Sequence, residues 1–195
     1  MTPELHKLLE ECGRMHGHLC PGQLLGVRMA LLGCQSIDVK EPRGADRKKI
    51  IVCVEIDRCI TDALGVVTGV SLGRRTLKFF DYGKVAATFL NTESGKAVRL
   101  VALDSARALA DLRYPDLNVK KDRQMRAYAE AGNEELFRVE SVELQLDDFD
   151  LPGRPRRRVV CVDCGEGIND GREVVCGDGK YCRRCANGGY YNLTS

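Results

Sequence analysis

Two histidines and a cysteine lie within five residues near the start of the sequence. His16, His18 and Cys20 alternate, so in an extended segment all three side chains point the same way. Pro21 suits the first position of a following helix, which places Cys20 at that helix's N-terminus, where the helix dipole favours a thiolate. The segment therefore predicts a reactive or metal-binding site.

A second cluster contains Cys59 and Asp62, three residues apart and so on one face of a helix that begins near them. Imidazoles, thiols and a carboxylate could together hold a soft metal with an open coordination position. The metal would polarise a small substrate while a thiolate or imidazole moves a proton. Alternatively, Cys20 and Cys59 could form a thiol redox pair. The candidate catalytic residues are His16, His18, Cys20, Cys59 and Asp62, and the candidate metal ligands among them are His18, Cys20 and Cys59.

Two C-x-x-C pairs, Cys161/Cys164 and Cys182/Cys185, lie near the end of the sequence. Their spacing is typical of a four-cysteine zinc site, and Gly165 suits the tight turn that follows such a pair. We expect one structural zinc here, bound by all four thiols. Cys176 belongs to neither pair, and its position after two valines predicts a free, buried strand thiol.

The chain has ten cysteines in 195 residues and a net charge of only +2. No long apolar run and no basic-apolar leader are present, so we expect a cytoplasmic protein with no membrane span. In a reducing compartment, many cysteines indicate metal or thiol chemistry. The balanced charge does not favour nucleic-acid binding. Three further cysteines lie on apolar faces and are expected in the core: Cys12, Cys34 and Cys53.

Helical and strand patterns mix without a strict repeat, which predicts an α+β core followed by a small Cys₄ zinc ribbon. Helices are predicted at 3–15, 21–35, from a cap at Asp57 onward, 104–113 and 120–131. Strands are predicted at 48–55, 77–80, 85–90, 97–103 and 137–146. Residues 81–84 are expected to form the turn between the second and third strands.

The composition changes after Leu146, where acidic residues precede a Pro- and Arg-rich segment. Proline keeps such a segment extended. We therefore expect three parts: an α+β domain over 1–150, a linker over 151–158, and the zinc-ribbon domain over 159–195.

The segment His16-Gly-His-Leu-Cys-Pro-Gly-Gln-Leu-Leu-Gly-Val-Arg28 resembles the opening motif of the FmdE family, which takes its name from formylmethanofuran dehydrogenase. Later segments strengthen the resemblance: Glu55-Ile-Asp-Arg-Cys-Ile-Thr-Asp-Ala63, then Thr68-Gly69, Leu72-Gly73 and Asp81-Tyr82-Gly83-Lys84. The C-terminal cysteines resemble the DksA/TraR-type zinc finger that many members carry. Arg74-Arg75-Thr76 departs from the family's usual Gly-Asn.

The resemblance implies a homodimer with a His/Cys/Asp cleft able to hold zinc, and it implies that Tyr82 and Lys84 contact a cofactor. It also implies a role in molybdenum- or tungsten-dependent metabolism, as an accessory or enzyme-like protein. One alternative is a metal- or cofactor-carrying partner that docks on a larger molybdenum or tungsten oxidoreductase. Another is a thiol redox protein that uses Cys20 and Cys59.

Overall fold

The structure is a computed structural model that describes residues 2–192 and 194. It divides into two compact units, Met1–Gln145 and Leu146–Ser195, called here the core unit and the C-terminal unit. The helices are α1 (Pro3–His16), α2 (Pro21–Ser36), α3 (Cys59–Thr68), α4 (Ser105–Arg113), α5 (Lys120–Glu130), α6 (Asn133–Leu136) and α7 (Arg183–Asn187). The strands are β1 (Ile50–Val54), β2 (Leu77–Phe79), β3 (Ala86–Asn91), β4 (Ala97–Ala102), β5 (Phe137–Ser141), β6 (Arg158–Val160), β7 (Gly167–Asn169), β8 (Val174–Cys176) and β9 (Gly179–Tyr181).

Helices α1 and α2 begin where the proline signals predict. The Thr2 hydroxyl accepts a hydrogen bond from the Leu5 N–H at 3.3 Å, which caps α1, and Pro21 follows the extended cap residue Cys20. Proline suits the first turn because its missing N–H would have no helical partner there. Helix α3 begins one residue later than expected, since its cap is Arg58 rather than Asp57.

One mixed five-stranded sheet organises the core unit, in the order β2-β1-β3-β4-β5. β1 lies inside the sheet and all five of its residues are buried, as its β-branched run predicts. Helix α3 connects β1 to the parallel strand β2, whereas the other strand pairs are antiparallel. The core unit is therefore α+β, as predicted.

The hairpin expected around residues 81–84 is wrong, because β1 lies between β2 and β3. The loop instead crosses the end of β1, where the Glu55 carbonyl accepts hydrogen bonds from the N–H groups of Tyr82 and Lys84 at 3.2 and 3.1 Å. The buried strand β1 pairs on both sides, and this long-range pairing outweighs the local turn signal.

The last strand of the sheet is shorter than the predicted 137–146. β5 ends at Ser141, which lies opposite Val98 near the beginning of β4. Beyond the hydrogen bond from the Val142 N–H to the Ala97 carbonyl, β4 offers no further backbone. The apolar alternation that continues to Leu146 therefore has no strand to pair with.

The C-terminal unit contains two two-stranded sheets, β6–β7 and β8–β9, and the short helix α7. Its buried residues, among those described, are Cys161, Ile168 and Asp170. A unit of this size with so small a core requires additional stabilisation. The fold is compatible with the predicted small zinc ribbon.

The Pro/Arg-rich segment 151–158 lies in the C-terminal unit. Asp170 Oδ1 accepts hydrogen bonds from the N–H groups of Arg156 and Arg157 at 2.7 and 3.1 Å. Cys176 lies in β8 as expected, but its predicted burial is wrong, since the residue is exposed. A two-stranded hairpin has no second layer to cover it.

Candidate functional site

A close approach of two helices at Gly26 sets the geometry of the site. A Cβ atom at Gly26 would lie 2.7 Å from Ala63 Cβ and 2.8 Å from the Ile60 carbonyl oxygen. Only glycine therefore allows α2 and α3 to pack at this separation. Because Cys20 precedes α2 and Cys59 begins α3, the packing brings these two thiols together.

The imidazole of His16 completes a group with the thiols of Cys20 and Cys59. One donor atom from each residue lies within 4.8 Å of the others, and all three residues are half-buried. The three residues come from the end of α1, the cap of α2 and the start of α3. Nitrogen and sulfur donors suit zinc, and three protein ligands leave one tetrahedral position for a small molecule.

Asp62 lies next to this group and orients His16. The carboxylate atom Asp62 Oδ2 is 2.8 Å from His16 Nδ1. An imidazole that donates one ring N–H to a carboxylate is fixed in orientation, and its other nitrogen becomes a better metal donor. The structure thus places Asp62 beside His16, in a position to support a ligand.

His18 lies outside the group of three donors, although the sequence predicts it as a ligand. Its ring centroid is 4.8 Å from that of His16, and the residue is exposed. The expected extended segment is wrong, because α1 continues to His16 and Gly17 adopts a left-handed φ of 86°. Strict alternation therefore does not apply, and His16 takes the position expected for His18.

Gln23 is a buried residue that fixes Cys20, and the sequence reasoning did not identify it. Its Oε1 accepts a hydrogen bond from the Cys20 N–H at 3.2 Å, while its Nε2 donates to the Cys12 carbonyl at 3.1 Å. The amide thus links α1 to the cap of α2. A polar residue three positions after a helix cap is a capping-box signal that could have identified it.

The pKa values separate the core cysteines from the site cysteines. Burial raises the pKa of Cys12 to about 11 and that of Cys34 to about 12. Together with Cys53 they are buried, as expected. Burial and then a hydrogen bond from Cys20 also raise the pKa of Cys59, contrary to the expected effect of the helix N-terminus. A bound cation is the neighbour that would reverse this shift.

A cleft of about 520 Å³ opens beside the two thiols. Cys20 and Cys59 line it together with apolar side chains from α2 and α3. The charged residues on its wall are all basic: Arg58, Arg107 and Lys120. This volume is typical of a site for a small molecule.

Tyr82 and Lys84 lie on the loop after β2 and are not among the residues that line this cleft. Both are exposed, and Lys84 Nζ is 5.9 Å from the centroid of the Tyr82 ring. Their loop is fixed through Glu55, whose carboxylate accepts hydrogen bonds from Arg99 Nε and Nη2 at 2.6 and 2.8 Å. The structure therefore places these two residues apart from the thiol cluster.

The four C-terminal cysteines form a second group in which all sulfur atoms lie within 4.8 Å of one another: Cys161, Cys164, Cys182 and Cys185. Gly165 adopts a left-handed φ of 74° directly after the first pair, as the turn requires. Backbone N–H groups, first that of Cys164 and then that of Cys182, lower the pKa of Cys161 to about 6. This arrangement favours a metal-binding thiolate.

Two known proteins resemble the chain along nearly its whole length. A probable S-adenosyl-L-methionine-binding protein of Archaeoglobus fulgidus is 32% identical over 212 aligned residues, which cover 96% of this chain. They cover 54% of that protein, so the chain spans about half the length of this relative.

The second is a tungsten formylmethanofuran dehydrogenase FmdE-like protein from Syntrophus aciditrophicus, known from a crystal structure. It matches with a TM-score of 0.65 and 22% sequence identity, over 96% of this chain and 95% of that chain. This likeness shows a shared fold.

The family model described as FmdE, molybdenum formylmethanofuran dehydrogenase operon, matches residues 15–145. The matched region contains every residue of the His16, Cys20 and Cys59 group and nearly all of the core unit. With more than half of its length matched to the family model, the chain belongs to the FmdE family.

Proposed function

We propose that the chain is a metal-binding accessory or enzyme-like component of molybdenum- or tungsten-dependent metabolism of the formylmethanofuran dehydrogenase type. The observation that carries this proposal is the group formed by His16, Cys20 and Cys59, three soft donors at the edge of a cleft. Family membership supplies the metabolic context. A metal with three protein ligands can polarise a small substrate at its open position.

Two zinc ions per chain would serve different roles in this proposal. The core zinc, held by His16, Cys20 and Cys59, is the working metal, and Asp62 orients the imidazole. His18 is exposed beside His16 and is placed to exchange a proton with solvent. The C-terminal zinc holds together a unit that has almost no apolar core.

The same proposal includes a cytoplasmic homodimer. Support comes from exposed aromatic side chains at and just after the edge strand β2, where Phe79 is 44% exposed and Phe80 41% exposed. An unpaired sheet edge with apolar side chains is a surface that a second copy could cover. Sedimentation at micromolar concentration should give the mass of a dimer, and a clean monomer would contradict this part.

Binding of S-adenosyl-L-methionine is not part of the proposal. That ligand carries a sulfonium and an ammonium group against one carboxylate, so its net charge is positive. The three basic residues on the wall of the cleft disfavour a positively charged ligand. In addition, the relative named for this binding is about twice as long as this chain.

The experiment combines the purified chain with a molybdenum or tungsten formylmethanofuran dehydrogenase and measures association and the rate of the complex. We expect association and a changed rate. The variant Cys20→Ser/Cys59→Ser should still associate but lose the effect on the rate, while the control Cys34→Ser should keep it. Neither association nor a change in rate would contradict the accessory role.

Turnover by the chain alone would favour the enzyme-like form over a carrier that docks on a larger oxidoreductase. Metal content distinguishes both from a thiol redox protein. A chain that lacks metal in the core unit but exchanges electrons through Cys20 and Cys59 would favour the redox alternative.

A further inference from the structure

The wall of the cleft beside Cys20 and Cys59 carries a concentrated positive charge. Arg58 caps α3, Arg107 lies on α4 and Lys120 begins α5, so three separate elements direct basic side chains to one cavity. No acidic residue is among the described residues that line it. The cleft is therefore complementary to an anion.

The three basic side chains have no partner within the part of the chain that the structure describes. Other basic residues of the core unit are paired: Arg99 binds Glu55 and Glu140, and Arg123 binds Asp111 at 2.8 Å. By contrast, no ion pair among the described residues involves Arg58, Arg107 or Lys120. Their charge is therefore available to a ligand.

Tyr128 adds a polar group on the opposite side of the same cleft. The residue is only 4% exposed and lines the cavity, and no described residue forms a hydrogen bond with its hydroxyl. A buried hydroxyl normally has a partner. Arg28 fixes this part of α5 by donating from Nη1 to the Tyr128 carbonyl at 2.8 Å, so Tyr128 is held in place.

The rest of the cleft wall is apolar. Leu25, Ile60 and Val85 contribute side chains next to the thiols. Such a wall suits a carbon skeleton rather than a bare inorganic ion. A ligand that satisfies both features has an apolar body and a strongly anionic end.

We propose that the cleft binds a small organic molecule that carries at least two negative oxyanion charges, as a phosphate ester or as several carboxylates. The anionic end contacts Arg107 and Lys120, with Arg58 beside them, and the Tyr128 hydroxyl forms a hydrogen bond with the ligand. Guanidinium groups bind both phosphate and carboxylate in a two-point geometry. As a statement of what the core metal acts on, this inference rests on the proposed function, whereas anion binding by the cleft does not.

The test is calorimetric titration of the full chain with adenosine 5′-monophosphate, citrate and inorganic phosphate, with adenosine as the uncharged comparison. We expect at least one of the two organic anions to bind more tightly than inorganic phosphate and adenosine. The nucleotide and citrate distinguish a phosphate ester from a polycarboxylate. Equal binding of adenosine, or no binding of either organic anion up to about 10 mM, would overturn the proposal.

Charge variants locate the binding. Arg107→Gln/Lys120→Gln should weaken the bound anion about tenfold or more. The control Lys7→Gln/Lys121→Gln removes the same charge from exposed positions that do not line the cleft, and it should change affinity by less than about twofold. Equal weakening by both double variants would overturn the cleft as the binding site.

Metal content of each variant separates this inference from the proposed function. We expect Arg107→Gln/Lys120→Gln to retain its metal while it loses the anion. If the anion instead remains bound in that variant and is lost in Cys20→Ser/Cys59→Ser, the metal alone binds it and the cleft proposal fails. If the parent chain lacks a core metal yet binds the anion through Arg107 and Lys120, the proposed function fails and the cleft proposal stands.

Discussion

His16, rather than His18, joins the two thiols, and this distinction can be tested at the level of single residues. His16→Ala should weaken metal binding by the core unit at least tenfold, because it removes one of three donors. His18→Ala should change affinity by less than about twofold, because the ring is exposed and outside the donor group. Competition with a chromophoric chelator measures both, and a larger loss in His18→Ala would contradict the placement.

The sequence could predict the types of residue at the site but not their exact roles. Cys20 and Cys59 are expected together because both lie at helix N-termini, and the structure places them in one group. The choice between two histidines depends on where α1 ends. Gly17 ends it one residue later than the periodicity suggests, and a change of one residue rotates a helical side chain by about 100°.

Cys34 should make stability depend on pH in the alkaline range. Burial raises its pKa to about 12 from the ordinary value of 9.0. Below pH 9 the thiol is protonated in both states. Above pH 9 the unfolded chain loses this proton first, so the contribution to stability falls as the pH rises toward the folded pKa. From pH 8 to pH 10 the loss is about 1 kcal/mol.

Urea unfolding at pH 8 and pH 10 measures this effect. Cys34→Ala should lower the free energy of unfolding at both pH values but show a smaller drop between them than the parent chain. Cys176→Ala, which removes an exposed thiol, is the matched control and should keep the parent's drop. An identical drop in all three proteins would show that Cys34 ionises as easily in the folded state as in the unfolded one.

At the scale of elements, the contact between α2 and α3 at Gly26 holds the site together. Gly26→Ala places a methyl group against Ala63 and the Ile60 carbonyl, so the helices must separate. We expect a loss of about 2 kcal/mol in the free energy of unfolding. We also expect weaker metal binding, since Cys20 and Cys59 move apart with their helices.

The control for this variant is Gly13→Ala. Gly13 lies within α1, and a Cβ atom there would have no neighbour closer than 3.8 Å. Alanine should therefore stabilise the helix by roughly 0.5–1 kcal/mol and leave the metal in place. Equal effects of the two substitutions on metal binding would show that the close helix contact does not determine the site.

The elements that the sequence predicts well are those with strong local signals. Helices α1 and α2 begin at Pro3 and Pro21 as expected, and β1 lies within the predicted apolar run. Pairing is predicted less well, because the parallel crossover from β1 to β2 depends on contacts distant in sequence. The cleft could not be predicted for the same reason, since Arg107 and Lys120 reach it only after α4 and α5 pack.

At the scale of the whole molecule, removal of zinc should affect the two units differently. The C-terminal unit has few buried residues among those described, whereas the core unit has an extended apolar core. A chelator should therefore unfold the C-terminal unit and expose it to proteolysis, because metal binding supplies its folding free energy. Cleavage sites within 146–195 together with a resistant core fragment are expected. A resistant C-terminal unit after zinc removal would contradict a structural role for the metal.

The measurement that tests the core metal site most directly is the metal content of the full chain and three serine variants, determined together with thermal unfolding. The parent chain should contain about two zinc ions, one for each cysteine group. Cys20→Ser and Cys59→Ser should each contain about one, with the fold intact. Cys34→Ser should retain about two and lose about 1–2 kcal/mol of stability, as a polar group in an apolar site requires. If Cys20→Ser and Cys59→Ser instead retain two zinc ions and only unfold at lower temperature, both cysteines are packing residues and no metal site exists in the core unit.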